Sequence, residues 1–248
     1  MYIMFKSKVL VGIVLVCYLL FIVLEFSGNE GLAFYFHSLI VPIITIIYTF
    51  FIKRKSKLFW LFLIFYSLSD VLGILIVSIS HDESKLLYDF EYYFGNSLYI
   101  LAYLFLVFKI IKSLSLKHVI KYLKVHVVVL TVLNVYLLYV LHAIINPNLV
   151  LESDYYLELT YNIVVLFLLS ISLLNYFYRD NKKSLYLFFG TLFIVFSEVM
   201  DIAYIYIAPR CFLNFLSTTL SLSAFYFFYQ QSRLLNSINA EEEFIFAE

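Results

Sequence analysis

FWLFLIFYSLSDVLGILIVSIS (residues 59–80) and LYLFFGTLFIVFSEVMDIAYIYIA (residues 185–208) are each long and apolar enough to cross a bilayer, and each carries an acid near its middle. About 30 Å of hydrocarbon, at about 1.5 Å of helical rise per residue, takes about 20 residues to cross. The acids are Asp70 in the first stretch and Glu198 in the second, with Asp201 one helical turn further on. A carboxyl at the centre of a membrane helix costs about 2.5 to 3.5 kcal/mol on insertion scales, so it is expected to face the protein interior and to mark a site.

The whole chain agrees with these two stretches. Its 248 residues are 64% hydrophobic, 21% aromatic and only 14% charged, with a mean hydropathy of +0.95, whereas soluble domains carry about 25% charge. The composition excludes a soluble globular domain and implies an integral membrane protein. Six further apolar runs complete the set: Val9 to Phe26, Leu32 to Ile52, Tyr92 to Ile111, Ile120 to Ile145, Tyr156 to Tyr178 and Cys211 to Tyr229. The fold class is therefore an all-α polytopic bundle of about eight transmembrane helices in a single domain over 1–229, with a short polar tail over 230–248. The first run follows Lys6 and Lys8 as a signal peptide would, but EFSGNEG behind it lacks a small-x-small cleavage pattern, so it is read as a retained span.

Net charge is zero, so only the placement of charges is informative. Lys53, Arg54, Lys55 and Lys57, then Lys112, Lys117, Lys121 and Lys124, then Arg179, Lys182 and Lys183 fall in alternate loops. The intervening loops hold Asp82, Glu83, Asp89 and Glu91, or Glu152, Asp154 and Glu158. By the positive-inside rule both termini are cytoplasmic, in what is expected to be a bacterial cytoplasmic membrane. Trp60, Tyr88, Tyr92, Tyr93, Tyr155, Tyr156, Tyr176 and Tyr178 near span ends read as interfacial belt residues. No feature points to nucleic acid as a partner, and oligomeric state is not encoded.

Asp70 and Glu198 lie at nearly the same depth, about 20 Å from the cytoplasmic ends of helices four spans apart. This is the pattern of a tandem repeat of four helices, with chance recurrence of a short motif as the alternative. Ser67 and Ser69 flank Asp70, Ser197 precedes Glu198, and Asp201 shares a helix face with Glu198. Carboxyls this close in low dielectric do not all ionise, so acid and base can come from one residue type. Interhelical packing through serines and protonated acids is the alternative. Pro42 is expected to kink the second span. His37 and His142 lack the spacing of metal ligands, and the two cysteines, Cys17 and Cys211, lack any metal or redox spacing, so neither metal nor cofactor is expected.

PIITIIYTFFIKRKSKLFWLFLIFYSLSDVLGIL (42–75), FGNSLYILAYLFLVF (94–108) and FFGTLFIVFSEVMDIAYIYIAP (188–209) resemble the YhhN family of eight-span membrane proteins, which includes lysoplasmalogenases. The resemblance puts Asp70 at the first family aspartate, Gly95 at the glycine of the following helix, and Gly190, Ser197 and Glu198 in the late motif, with Glu in place of Asp. Val41 stands where the family has Lys, and Tyr103 where it has His. What the resemblance implies is hydrolysis of the vinyl ether bond of a lysolipid in the membrane, with Asp70 and Glu198 as catalytic carboxyls; Ser67, Ser69, Gly95, Tyr103, Ser197 and Asp201 are the candidate supporting residues around them. Proton-coupled transport of a small amphiphile, or a non-catalytic membrane scaffold, are the alternatives.

Overall fold

The computed structural model describes residues 2–52, 55–79, 85–145 and 152–245. Among these the chain is helical without a strand, and eight helices are long and apolar enough to span a membrane: Val9–Phe26, Glu30–Phe51, Lys57–Ile79, Glu91–Ser113, Lys124–Ile145, Ser153–Arg179, Lys182–Tyr206 and Cys211–Ser232. The protein is an integral membrane bundle. Lys53, Arg54, Asp82 and Glu83 of the charge pattern lie outside the described residues.

Three boundaries differ from the hydropathy expectation, each for a local reason. The fifth span begins at Lys124 rather than Ile120, because residues Leu116–Tyr122 form a separate short helix that ends at Leu123 (φ −109°, ψ 21°). The eighth helix runs past Tyr229 to Ile245. Gln231 and Ser232 are each only 2% exposed, so the polar segment expected to begin at residue 230 starts inside the bundle. In the second span, helix Glu30–Ser38 is separated from helix Ile40–Phe51 by Leu39. Pro42 cannot donate to the Ser38 carbonyl four residues back, which places the break where Pro42 predicts one.

Connections between spans are short. The sixth and seventh reverse at Asp180, whose φ of 43° lies in the left-handed region that Asp tolerates better than most residues. Asn181 then caps the seventh span: its Oδ1 accepts from the Ser184 N–H at 2.9 Å, within a reciprocal capping box.

Lipid is as apolar as a leucine side chain, so helices in a membrane are held by close packing and by polar bonds rather than by water exclusion. Both are visible. A Cβ placed on Gly190 would sit 2.5 Å from the Phe228 ring, so the seventh and eighth helices approach as closely as glycine permits. Phe62 contacts Phe59, Tyr66, Tyr103, Phe225 and Phe228, knitting the third, fourth and eighth helices around one fully buried ring. The fifth span is peripheral. It leaves Val125, Val128, Val132 and Val135 exposed to the lipid side and is tied to the sixth by a reciprocal Asn134–Ser170 pair at 2.8 and 3.1 Å.

Candidate functional site

The third and seventh spans carry their acids into the same space. Asp70, 8% exposed, lines a cavity of about 100 Å³ together with Glu198 and Asp201, with Tyr66, Tyr99 and Tyr161 around them. His37, Asp70 and Tyr99 also border a second cavity of about 300 Å³, which is lined further by Phe34, Glu91, Tyr92 and Asn96. These last residues start the second and fourth spans, so the larger space lies toward the end of the bundle opposite the basic loops. Val41 contributes an apolar wall to the smaller cavity.

Each acid is held by tyrosines. Tyr161 Oη donates to Glu198 Oε2 at 2.6 Å, and Tyr103 Oη donates to Glu198 Oε1. Tyr99 Oη donates to Asp70 Oδ1 at 2.5 Å, and the Tyr66 ring packs edge-on against Tyr99 at 4.8 Å between centroids. Buried carboxyl oxygens need donors, and a phenol supplies one from an otherwise apolar ring, so tyrosine is a donor that an aromatic core can accommodate. Glu198 has a donor on each oxygen. The second oxygen of Asp70 has no hydrogen bond among the described residues, on a side chain that borders both cavities.

The serines beside the acids bond elsewhere. Ser67 pairs with Thr45 of the second span at 2.5 Å, and Ser69 Oγ donates to the Gly95 carbonyl at 2.9 Å. Ser197 Oγ donates to the Ser217 carbonyl, also at 2.9 Å. Ser69 and Ser197 each directly precede an acid, and each binds the backbone of the next span. Gly95 closes a π-helical turn, Glu91–Gly95, that opens the fourth span; such turns interrupt the regular ladder and are frequent at functional sites. A Cβ on Gly95 would meet Ser69 Oγ at 3.4 Å.

Four residues of this constellation were not singled out from the sequence: Tyr66, Tyr99, Tyr161 and Glu158. Tyr99 and Tyr103 are four apart and face the same way, a signal present in the sequence. Glu158, grouped with a loop on charge alone, belongs to the sixth span, where it accepts from Tyr92 at 2.9 Å and Tyr206 at 3.2 Å. Tyr92, half-buried near the outer end of the fourth span, thus also ties that span to the sixth. Of the two histidines, His37 joins Asp70 at the cavities, while His142 packs on Tyr155 at 5.0 Å beside Glu158. No group of three metal-ligating side chains occurs among the described residues.

Neither a family model, a curated protein nor a solved structure matches the chain.

Proposed function

We propose that the protein is a membrane-embedded lysolipid hydrolase of the YhhN type, cleaving a vinyl ether as a lysoplasmalogenase does, with Asp70 and Glu198 as its catalytic carboxyls. The observation that carries this reading is the meeting of two carboxyls from helices four spans apart at one small cavity, each held by tyrosine hydroxyls. Under this proposal the family resemblance is a divergent one, since Val41 and Tyr103 replace Lys and His.

The chemistry needs two roles. A proton goes to the outer carbon of the C=C–O unit, giving an oxocarbenium ion; water adds to that ion and loses its proton, and the hemiacetal collapses to a fatty aldehyde and an alcohol. Glu198, with a phenolic donor on each oxygen, is equipped as the fixed carboxylate that stabilises the cation and orients water. Asp70, with one oxygen facing open space, is placed to deliver the proton and to be recharged when water loses its own. The larger cavity, opening toward the fourth span's start, is the route proposed for the substrate chain.

A carrier needs a polar path to both faces. Phe59, Phe62, Phe225 and Phe228 pack against one another between the acids and the basic end, which supports an enzyme over a proton-coupled transporter. In this reading the basic end is cytoplasmic and both termini lie there, which reporter fusions at the C-terminus check. Purified protein incubated with a panel of lysophospholipids is expected to release aldehyde from vinyl ether forms only. Absence of turnover on every member of the panel would overturn the hydrolase reading.

A further inference from the structure

In the second span Ala33, His37 and Val41 recur at four-residue spacing and so share one helix face. Ala33 is 0% and Val41 5% exposed, so that face is turned into the bundle. His37 on it borders both cavities beside Asp70 and Tyr99. It is the one basic side chain among the described residues that line either space; the other titratable groups there are the carboxyls of Asp70, Glu91, Glu198 and Asp201 and tyrosine phenols. Its ring lies 5.7 Å from that of Phe21 between centroids, and neither ring nitrogen has a hydrogen bond among the described residues. A neutral imidazole carries one N–H and one bare nitrogen, and both want partners when enclosed. The two cavities are where such partners can stand, as they are for the second oxygen of Asp70. Glu91 also lacks a hydrogen bond among the described residues, but it borders the larger cavity and not the smaller one that holds Glu198.

We infer that His37 is the proton relay of this site, carrying a proton from the attacking water to the free oxygen of Asp70. The inference rests on the hydrolase reading and supplies a step that reading leaves open, the route by which Asp70 regains its proton. Imidazole suits the step because it accepts on one nitrogen while giving from the other. In the cycle Asp70 gives its proton to the outer carbon and becomes a carboxylate. Water then forms its bond to the oxocarbenium carbon and loses a proton to the bare nitrogen of His37, while the opposite N–H proton passes to Asp70. The sum leaves Asp70 protonated and His37 neutral with its proton on the other nitrogen, and exchange with water restores the starting tautomer. No acid or base beyond the water consumed in hydrolysis is required.

The test is turnover of a vinyl ether lysophospholipid by the purified full chain, followed from the first turnover into the steady state. His37→Gln keeps a polar side chain of similar size but cannot accept and give a proton in turn. Its first turnover per protein is expected near the wild-type rate, because that turnover uses the proton already on Asp70. Later turnovers should slow by about tenfold or more with KM within about twofold of wild type, the pattern of a lost proton-transfer step rather than of lost binding. In His37→Ala, which vacates the space of the ring, added imidazole should restore the steady-state rate, whereas pyrazole, of the same shape but a far weaker base, should not. The relay is overturned, with the hydrolase reading left standing, if His37→Gln matches wild type in the steady state, if its first turnover is slowed as much as the later ones, or if imidazole and pyrazole act alike on His37→Ala. No turnover by wild type overturns the hydrolase reading and the relay together. Should one of the two variants fail to fold, the other decides.

Discussion

Asp70 and Glu198 occupy equivalent places in the third and seventh helices, yet their surroundings diverge. Glu198 is enclosed: both oxygens accept from tyrosines, and the helix that bears it presses on the eighth through Gly190. Asp70 has one tyrosine and borders two cavities. Two copies of a similar tie, Ser69 to Gly95 and Ser197 to Ser217, hold these unlike environments in register. Under the proposed function Glu198 holds the fixed charge and Asp70 the accessible proton, a division of labour that paired carboxyls use to supply acid and base together.

The sharpest way to break that contrast is to remove the exchangeable proton from either half. Asp70→Asn and Glu198→Gln keep shape and some hydrogen bonding, and each is expected to lower kcat by about 10² to 10⁴-fold. Aldehyde release by Asp70→Asn at the wild-type rate would end the acid-base assignment. The enclosure of Glu198 predicts separate contributions: Tyr103→Phe or Tyr161→Phe alone leaves one donor, whereas the double variant leaves none. Each single change should cost about 1.5 kcal/mol in kcat and the pair up to twice that, which a double-mutant cycle on turnover measures.

The packing contrast is tested without activity. Gly190→Ala drives a methyl into the Phe228 ring and should destabilise the protein by about 1 to 3 kcal/mol, read as a fall in Tm. Gly95→Ala meets only Ser69 Oγ at an ordinary contact distance, so its stability should stay within about 0.5 kcal/mol of wild type, read as little change in Tm. Among the changes read by activity, the smallest effect belongs to Asp201→Asn. Asp201 lies one turn beyond Glu198 beside Ser217, and losing one interhelical bond costs about 0.6 kcal/mol, or about threefold in kcat.

Hydropathy made all eight spans and the two central acids legible, because twenty apolar residues in a row have few other uses and an acid among them stands out. The partners of those acids were harder to find. With 23 tyrosines and 27 phenylalanines in the chain, an aromatic residue carries little information about whether it faces lipid, headgroup or core. Tyr161 and Tyr99 are therefore distinguished only by three-dimensional placement. The direction of Ser67 depends on Thr45, a residue in another helix, which no local pattern encodes. Lys109 sits so near Lys112 that the pair reads as one topogenic cluster, and only the buried Gln231 separates their roles. The break at Leu39 was legible, since proline acts on its own backbone.

The four packed phenylalanines between the two polar ends also bear on how charge could move through the bundle. Rings without ionisable atoms offer no stepping stones for protons or hydrated ions, so a charge driven through the bundle by the transmembrane potential would have to pass them unaided. The potential is worth about 2.3 kcal/mol per unit charge per 100 mV, but only for charge that traverses it. Under the proposed hydrolase reading, proton exchange between Asp70, water and substrate takes place on one side of the rings. That reading expects turnover to be the same in an energised membrane and in a collapsed one.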